Sequence, residues 1–228
     1  MIGELYVRAL AGQARPEIEH ADGGRTPLGI DDWLHDAPGD ASILDRCHGP
    51  TLDVGSGPGR LTVALSERGV PTLGIDITPF AVQMARDAGA LALLRDVFGR
   101  VPGAGRWVTV LLADGNIGIG GDPVSLLRRV SELLCPGGQA IVEVLPPGSE
   151  LHKEQVRLRH EGTVSAWFPW AYVGTDQIAE VAGSAGLKLA DTWNAEGRWF
   201  AALTPVRMPE DPDNPESVVK DEEVLEQR

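Results

Sequence analysis

The chain has 228 residues, with 20 Lys+Arg against 33 Asp+Glu and a formal net charge of −13. That length can bury a sizeable core without a disulfide or a metal, and no apolar run approaches the ~18 residues of a membrane span. The acidic balance argues against a nucleic-acid binder, because tracking phosphates needs a basic face. Cys47 and Cys135 have no CxxC partner or His pair at ligand spacing, so neither a disulfide framework nor a metal site is expected. The first twenty residues carry Glu4 and no unbroken apolar stretch, so no secretory signal is expected and a cytoplasmic protein is.

Residues 1–42 read as an amino-terminal helical lid segment, one or two helices with a flexible Gly/Pro/Asp stretch at 21–32. From about Ile43 onward, strand-length apolar runs alternate with helical patterns. Thr51–Val54 is a short strand ending in a glycine-rich turn, and Arg60–Arg68 has helix spacing at Leu61, Ala64 and Leu65. Pro71–Ile75 is strand-like, Thr78–Pro79 opens a helix running to about Gly89, and Leu91–Leu94 is a third strand. Trp107–Ala113 is a fourth. Pro123–Leu134 is an amphipathic helix that Pro136-Gly137-Gly138 should stop, and Gln139–Leu145 follows as a fifth strand. Gln155–Phe168 reads as a hairpin or extended arm. Asp176–Ala185 reads as a helix, and Leu187–Trp193 and Arg198–Leu203 as two strands around a turn. The alternation predicts an α/β fold, with a Rossmann-like, mostly parallel seven-stranded sheet flanked by helices and an antiparallel last strand. It would occupy residues 43–204, with 150–172 as an acceptor-side arm. Residues 205–228 hold four prolines, eight acids and three bases, and read as an acidic, disordered tail.

Leu52–Thr62, LDVGSGPGRLT, joins the first strand of this series to its first helix. Its glycines allow a tight turn and bring backbone N–H groups to a ligand at the positive end of the helix. Open α/β sheets bind ligands at this crevice. A P-loop would need Lys, which is absent, and the dinucleotide pattern GxGxxG fails because Arg60 stands where its third glycine should be. Asp53 precedes the loop. A carboxylate there would repel a pyrophosphate but suit a ligand with a cationic ammonium group, which points to S-adenosylmethionine.

In these residues the sequence resembles the class I S-adenosylmethionine-dependent methyltransferases. Their loop follows (D/E)-x-G-x-G-x-G, and Asp53, Gly55, Ser56, Gly57 and Gly59 fall into that frame. The resemblance implies that Asp76, with Ile77, binds the ribose hydroxyls from the end of the second strand. It implies that Asp96 and Val97 lie by the adenine ring, and that a Pro-Gly-Gly turn precedes the fifth strand. Asp114, after the fourth strand, would line the reactive end of the cofactor. There are departures. The loop Gly115–Gly121 is richer in glycine than the family norm, and the N/D-P-P-Y motif of exocyclic and amide nitrogen methylation is absent.

The implied function is methyl transfer to a small-molecule acceptor, on oxygen or nitrogen, with no metal required. Two alternatives stay open: a protein that binds S-adenosylmethionine without transferring methyl, and a nicotinamide-dependent oxidoreductase. No catalytic base stands out. Asp114 and Asn116 are candidates to face the methyl group or acceptor, or simply form a turn reaching the helix cap at Asp122. His152 and His160 could take an acceptor proton, though a lone histidine is more often a surface residue. Trp167, Phe168, Trp170 and Tyr172 hold four of the twelve aromatics, and form either an acceptor wall or a packed hairpin.

Overall fold

A computed structural model of the chain describes residues 3–206. In chain order its elements begin with α1 (Gly3–Leu10), β1 (Glu17–His20), β2 (Arg25–Pro27), α2 (Ile30–Leu34) and α3 (Asp40–Leu44). There follow β3 (Thr51–Val54), α4 (Arg60–Glu67), β4 (Thr72–Asp76), α5 (Pro79–Asp87), β5 (Ala92–Leu94) and β6 (Trp107–Leu112). A 3-10 turn (Asn116–Gly121) leads into α6 (Pro123–Leu133) and β7 (Leu134–Val144). The chain closes with β8 (His152–His160), β9 (Thr163–Val164), β10 (Phe168–Tyr172), α7 (Ile178–Ser184), β11 (Leu187–Ala195) and β12 (Arg198–Pro205).

The main sheet has seven strands in the order β11-β12-β7-β6-β3-β4-β5. β3 to β7 run parallel, and β12 pairs antiparallel with both β7 and β11, so β12 alone runs against the rest. The predicted mostly parallel sheet with an antiparallel end is therefore what forms. Strand alternation divides the core into two layers. Val110, Leu112, Ala140 and Val142 join Leu126, Leu127 and Val130 of α6 on one face. Leu111 and Ile141 join Ile43 of α3, Leu61 and Leu65 of α4, and Phe200 on the other. Central strands covered by helices on both faces read as near-continuous apolar runs, as WVTVLL does, with its one polar residue, Thr109, buried and donating to the His48 carbonyl at 2.9 Å.

The helix ending in α6 departs from expectation. It stops at Leu133, and β7 begins at once with Leu134 paired to Trp107, so Pro136-Gly137-Gly138 lies inside the strand. The register with β6 slips between Trp107 and Thr109, which accommodates the extra residues as a bulge. Gly138 is needed there, because a Cβ would lie 2.9 Å from the Trp107 carbonyl oxygen.

A second, antiparallel sheet of five strands, order β10-β8-β1-β2 with β9 on β8, stands over the carboxyl ends of the main sheet. The expected hairpin within 155–168 forms its middle, turning at Glu161-Gly162, where both residues have positive φ as a tight two-residue turn requires. The amino-terminal stretch is not all helical. Glu17–Pro27 is a hairpin whose β1 pairs with β8, so residues expected as a flexible stretch are partly strand. α1 ties this sheet down: Leu5, Tyr6, Ala9 and Leu10 pack with Ile30, with Ala81 of α5 and with Leu158 of β8. β12 continues through Pro205, one residue into the stretch read as a tail, and residues 207–228 lie outside the described residues. Among the described residues no helix is long and apolar enough to cross a membrane.

Candidate active site

The loop between β3 and α4 is fixed by its own backbone. Gly55 and Ser56 donate their N–H groups to the Ile75 carbonyl at 2.9 and 3.1 Å. Asp76 ends β4 and holds both sides of the crevice, its carboxylate accepting from Gly57 N–H at 3.0 Å and from Thr78 N–H at 2.7 Å. It thus fixes the turn that leads into α5 as well as fastening the loop. Burial raises its pKa against the pull of those two bonds.

Asp53 is 3% exposed. Its neighbours Leu52 and Val54 point to the α6 face, so alternation turns Asp53 to the α4 face, where the Thr62 hydroxyl donates to it at 2.7 Å. Burial pushes its pKa up to about 6. Close packing in the same place explains Gly74, whose Cβ would lie 2.7 Å from the Ser56 hydroxyl and 2.8 Å from that of Thr62.

At the other side of the loop lies a buried ion network. Arg60, first residue of α4, binds Asp114 at 2.7 and 2.9 Å and also Asp40 of α3. Arg198 of β12 grips Glu143 of β7 through two bonds of 2.7 and 2.9 Å, and reaches Asp40 at 2.8 Å and Asp114 at 3.0 Å. Glu143 also accepts the Asp114 N–H at 2.6 Å. Burial pushes Asp114 up to about 6 despite its cations, and Arg198 is raised because the carboxylates, Glu143 foremost, outweigh its burial. The Arg60 Nε, in a side chain 6% exposed, has no partner.

The glycine loop, Asp76, Arg60 and Asp114 line one cavity of about 460 Å³ between the carboxyl ends of the main sheet and the second sheet, with Asp40, Glu143 and Arg198 outside its lining. It brings together Asp53, Gly55, Ser56, Gly57, Asp76 and Ile77 with Asp96, Val97 and Asp114. Gly59 is absent from the lining. It sits under the loop at φ +94°, where a Cβ would come 2.7 Å from Ala85 Cβ of α5. Asp96 is exposed, accepts the Phe98 N–H at 2.9 Å, and makes no ion pair with Arg95, which bonds the Leu94 carbonyl. Asn116 lines the cavity, but its amide is spent on the Val54 and Gly55 carbonyls at 2.9 and 3.1 Å.

His152 and His160 lie outside the cavity. His152 stacks on Tyr172 and stands 3.6 Å from Glu154, and His160 contacts the Arg15 carbonyl. Of the aromatic segment, Phe168, Trp170 and Tyr172 line the cavity, while Trp167 lies under the Arg157 guanidinium, 4.5 Å from ring to Cζ. The glycine-rich loop after β6 now has a physical reason. At Gly118 a Cβ would lie 2.5 Å from the Trp170 Nε1, and at Gly121 2.6 Å from Pro169 Cβ, so a thin turn is what lets β10 seat. Sequence reasoning missed Tyr6 and Trp33, which meet edge to face at 6.0 Å on the cavity wall. For Tyr6 the only signal was the apolar face of α1, which does not say what that face covers, and Trp33 lies in the five-residue α2 within the stretch read as flexible or helical.

Comparison with known proteins agrees with this architecture. Residues 52–142 match the family model described as a methyltransferase domain. A S-adenosylmethionine-dependent methyltransferase from Bacteroides fragilis, solved with S-adenosyl-L-homocysteine, superimposes with a TM-score of 0.75 at 21% identity over 90% of this chain and 94% of that one. A 1,6-didemethyltoxoflavin-N1-methyltransferase from Burkholderia thailandensis, solved with its namesake compound and S-adenosylhomocysteine, gives 0.58 at 18% identity over 78% and 83%. The glycopeptide N-methyltransferase MtfA, solved with S-adenosylmethionine, gives 0.56 at 16% identity over 75% and 96%. The matched stretch, the strand order with its reversed β12 and the loop Asp53–Gly59 agree, and the chain has the fold of the S-adenosylmethionine-dependent methyltransferases, with residues 52–142 matching a methyltransferase domain.

Proposed function

We propose that this protein binds S-adenosylmethionine in the cavity and transfers its methyl group to a small-molecule acceptor, on oxygen or nitrogen. The observation that carries the reading is the glycine loop at the carboxyl end of β3, with Asp76 fastening it and a ligand-sized cavity above. The residues fit the cofactor. The loop supplies close backbone, and Ile77 and Phe98, 51% and 45% exposed, offer apolar faces to a flat ring beside Asp96. Asp76 borders the same space and is the candidate for sugar hydroxyls. Asp53 and Asp114 give the opposite end of the crevice its negative character, suited to an ammonium group, and the unpartnered Arg60 Nε suits a carboxylate.

When bound, S-adenosylmethionine supplies a methyl group on a positively charged sulfur, so the leaving group is already activated. The protein's work is then to hold the acceptor in line and keep water out. The second sheet and α1 cover the cavity from above, and we assign closure to this amino-terminal part together with the 150–172 arm.

Isothermal titration with S-adenosylmethionine, S-adenosylhomocysteine and NADH tests the reading, with Asp53→Ala as the control. Binding of both adenosyl ligands, lost in the variant, is the expected result. Binding of NADH alone, or of none of the three, overturns it.

A further inference from the structure

The cavity has two unlike halves. Asp53, Arg60, Asp76, Arg95, Asp96 and Asp114 belong to the half built by the main sheet and its loops. The half built by the second sheet, α1 and α2 carries no charged side chain. Its faces are Ile18, Val156 and Leu158, with Trp33 at one side and Phe168 and Trp170 at the other. Strand alternation makes the separation: Val156 and Leu158 turn inward, 2% and 1% exposed, while Arg157 and Arg159 turn outward onto Glu19. His20, His152 and Glu154 share the face of Val156 and Leu158 but cluster around Tyr172 toward one end of it, where Glu154 accepts from the His20 Nδ1–H at 2.8 Å, and none of the three lines the cavity.

This division restricts the acceptor. An anion seated against the second sheet would lose water and meet no cation on that side, because Arg60 and Arg95 both lie on the main-sheet half and Arg60 is shared by Asp40 and Asp114. An aliphatic alcohol would need a base, and the ionisable groups in this half are phenols. Burial holds both Tyr6 and Tyr172 protonated, Tyr172 at about 12 and Tyr6 higher still. They can donate a hydrogen bond and cannot take a proton near neutral pH.

We propose that the acceptor is a flat, uncharged heteroaromatic molecule methylated on a neutral ring nitrogen, held between the Trp170–Phe168 wall and the Ile18–Leu158 face. This deepens the methyl-transfer reading and rests on it. The nitrogen lone pair forms the new N–C bond while the C–S bond breaks and its electron pair stays on sulfur. The sulfonium becomes a thioether and the positive charge passes to the methylated ring, so no proton need be removed before attack. The aromatic wall then faces a cation, which such rings stabilise.

Isoquinoline, 2-naphthol and 2-naphthoate, three bicyclic probes of matched size, are titrated into protein loaded with S-adenosylhomocysteine above neutral pH, where the ring nitrogen is unprotonated. Isoquinoline should bind at least about tenfold more tightly than 2-naphthoate, and with S-adenosylmethionine it should yield N-methylisoquinolinium by mass spectrometry. Ile18→Lys, at a half-buried position, should shift the preference toward 2-naphthoate by about tenfold or more, with far-ultraviolet circular dichroism and retained S-adenosylhomocysteine binding as the checks on folding. Equal or tighter binding of 2-naphthoate, methylation of 2-naphthol in place of isoquinoline, or no binding of any arene overturns the inference. Failure of S-adenosylhomocysteine itself to bind takes the methyl-transfer reading down first and this inference with it.

Discussion

Arg198 reaches Asp114 across 84 residues of sequence, its Nη2 lying 3.0 Å from Asp114 Oδ1. The same guanidinium holds Asp40 and Glu143, and with Arg60 it balances three carboxylates with two cations. Removing it leaves three buried acids against one arginine. Arg198→Met should therefore destabilise the protein by about 3 kcal/mol, the usual cost of an uncompensated buried charge. For a chain of this size that lowers Tm by roughly 6–12 °C. Pairing it with Glu143→Met removes one of the stranded acids and should recover part of the loss. A thermal melt in which the double variant is no better than the single one would refute this account.

Asp53 makes the site costly to fold. Its ordinary pKa is 3.8 and burial raises it to about 6. The folded chain thus binds this proton more tightly than the unfolded one. The resulting stabilisation is complete below about pH 4 and is lost as pH rises through about 6. Asp53→Asn cannot ionise, so its stability relative to the natural protein should be level below about pH 4 and gain up to about 3 kcal/mol above pH 6. S-adenosylmethionine affinity should fall in the same variant. Denaturant melts across this range check the first statement and calorimetry the second, and a gain largest at acid pH would show the sign to be wrong.

Two glycines of one loop separate folding from binding. At Gly59, φ is +94° and a Cβ would lie 2.7 Å from Ala85 Cβ and 3.0 Å from its Cα, so the clash is partly with backbone. Gly59→Ala should cost more than about 2 kcal/mol, with α4 and α5 forced apart. At Gly57, φ is +53° and the nearest atom is the Tyr6 hydroxyl at 3.6 Å. Gly57→Ala should cost only about 1 kcal/mol of backbone strain, yet its methyl enters the cavity and should weaken S-adenosylhomocysteine binding by about tenfold or more. Melts and titrations of the two variants should rank them in opposite orders.

The parts of this site that were legible in the sequence are those whose signal is local. Asp53-Val54-Gly55-Ser56-Gly57-Pro58-Gly59 spells its own turn, and WVTVLL spells a strand buried on both faces. The parts that were not legible depend on partners far along the chain. Glu17–His20 has no strand-like alternation of its own, and it becomes a strand by pairing with β8, with Glu17 opposite Arg159. Arg60 and Arg198 carry no mark of the acids they share, because those acids lie on α3, after β6 and in β7. Pro136-Gly137-Gly138 was misread for the opposite reason: its local signal is a turn, and pairing with β6 overrides it as a bulged strand. His152 and His160 had the right chemistry for a base, and they share the strand face of Val156 and Leu158, but they stand at the two ends of β8, outside the cavity.

Gly118 tests whether the second sheet can be loosened without touching the glycine loop. Its φ is not in the left-handed region, so the constraint is steric alone. A Cβ would press on the Ala171 carbonyl oxygen and lie 2.5 Å from the Trp170 Nε1, both on β10. β10 is joined to its sheet only through β8, from Phe168 opposite Val156 to Tyr172 opposite His152, so it is the element that must give way. Gly118→Ala should raise amide hydrogen exchange along β10 and at its β8 partners, while Gly55, Ser56 and Gly57 keep their protection. S-adenosylhomocysteine affinity should change less than about threefold, and isoquinoline affinity should fall by about tenfold or more. Loss of both affinities together would mean that the two halves of the cavity stand or fall as one body, and that the 3-10 turn transmits strain to the loop through Asn116.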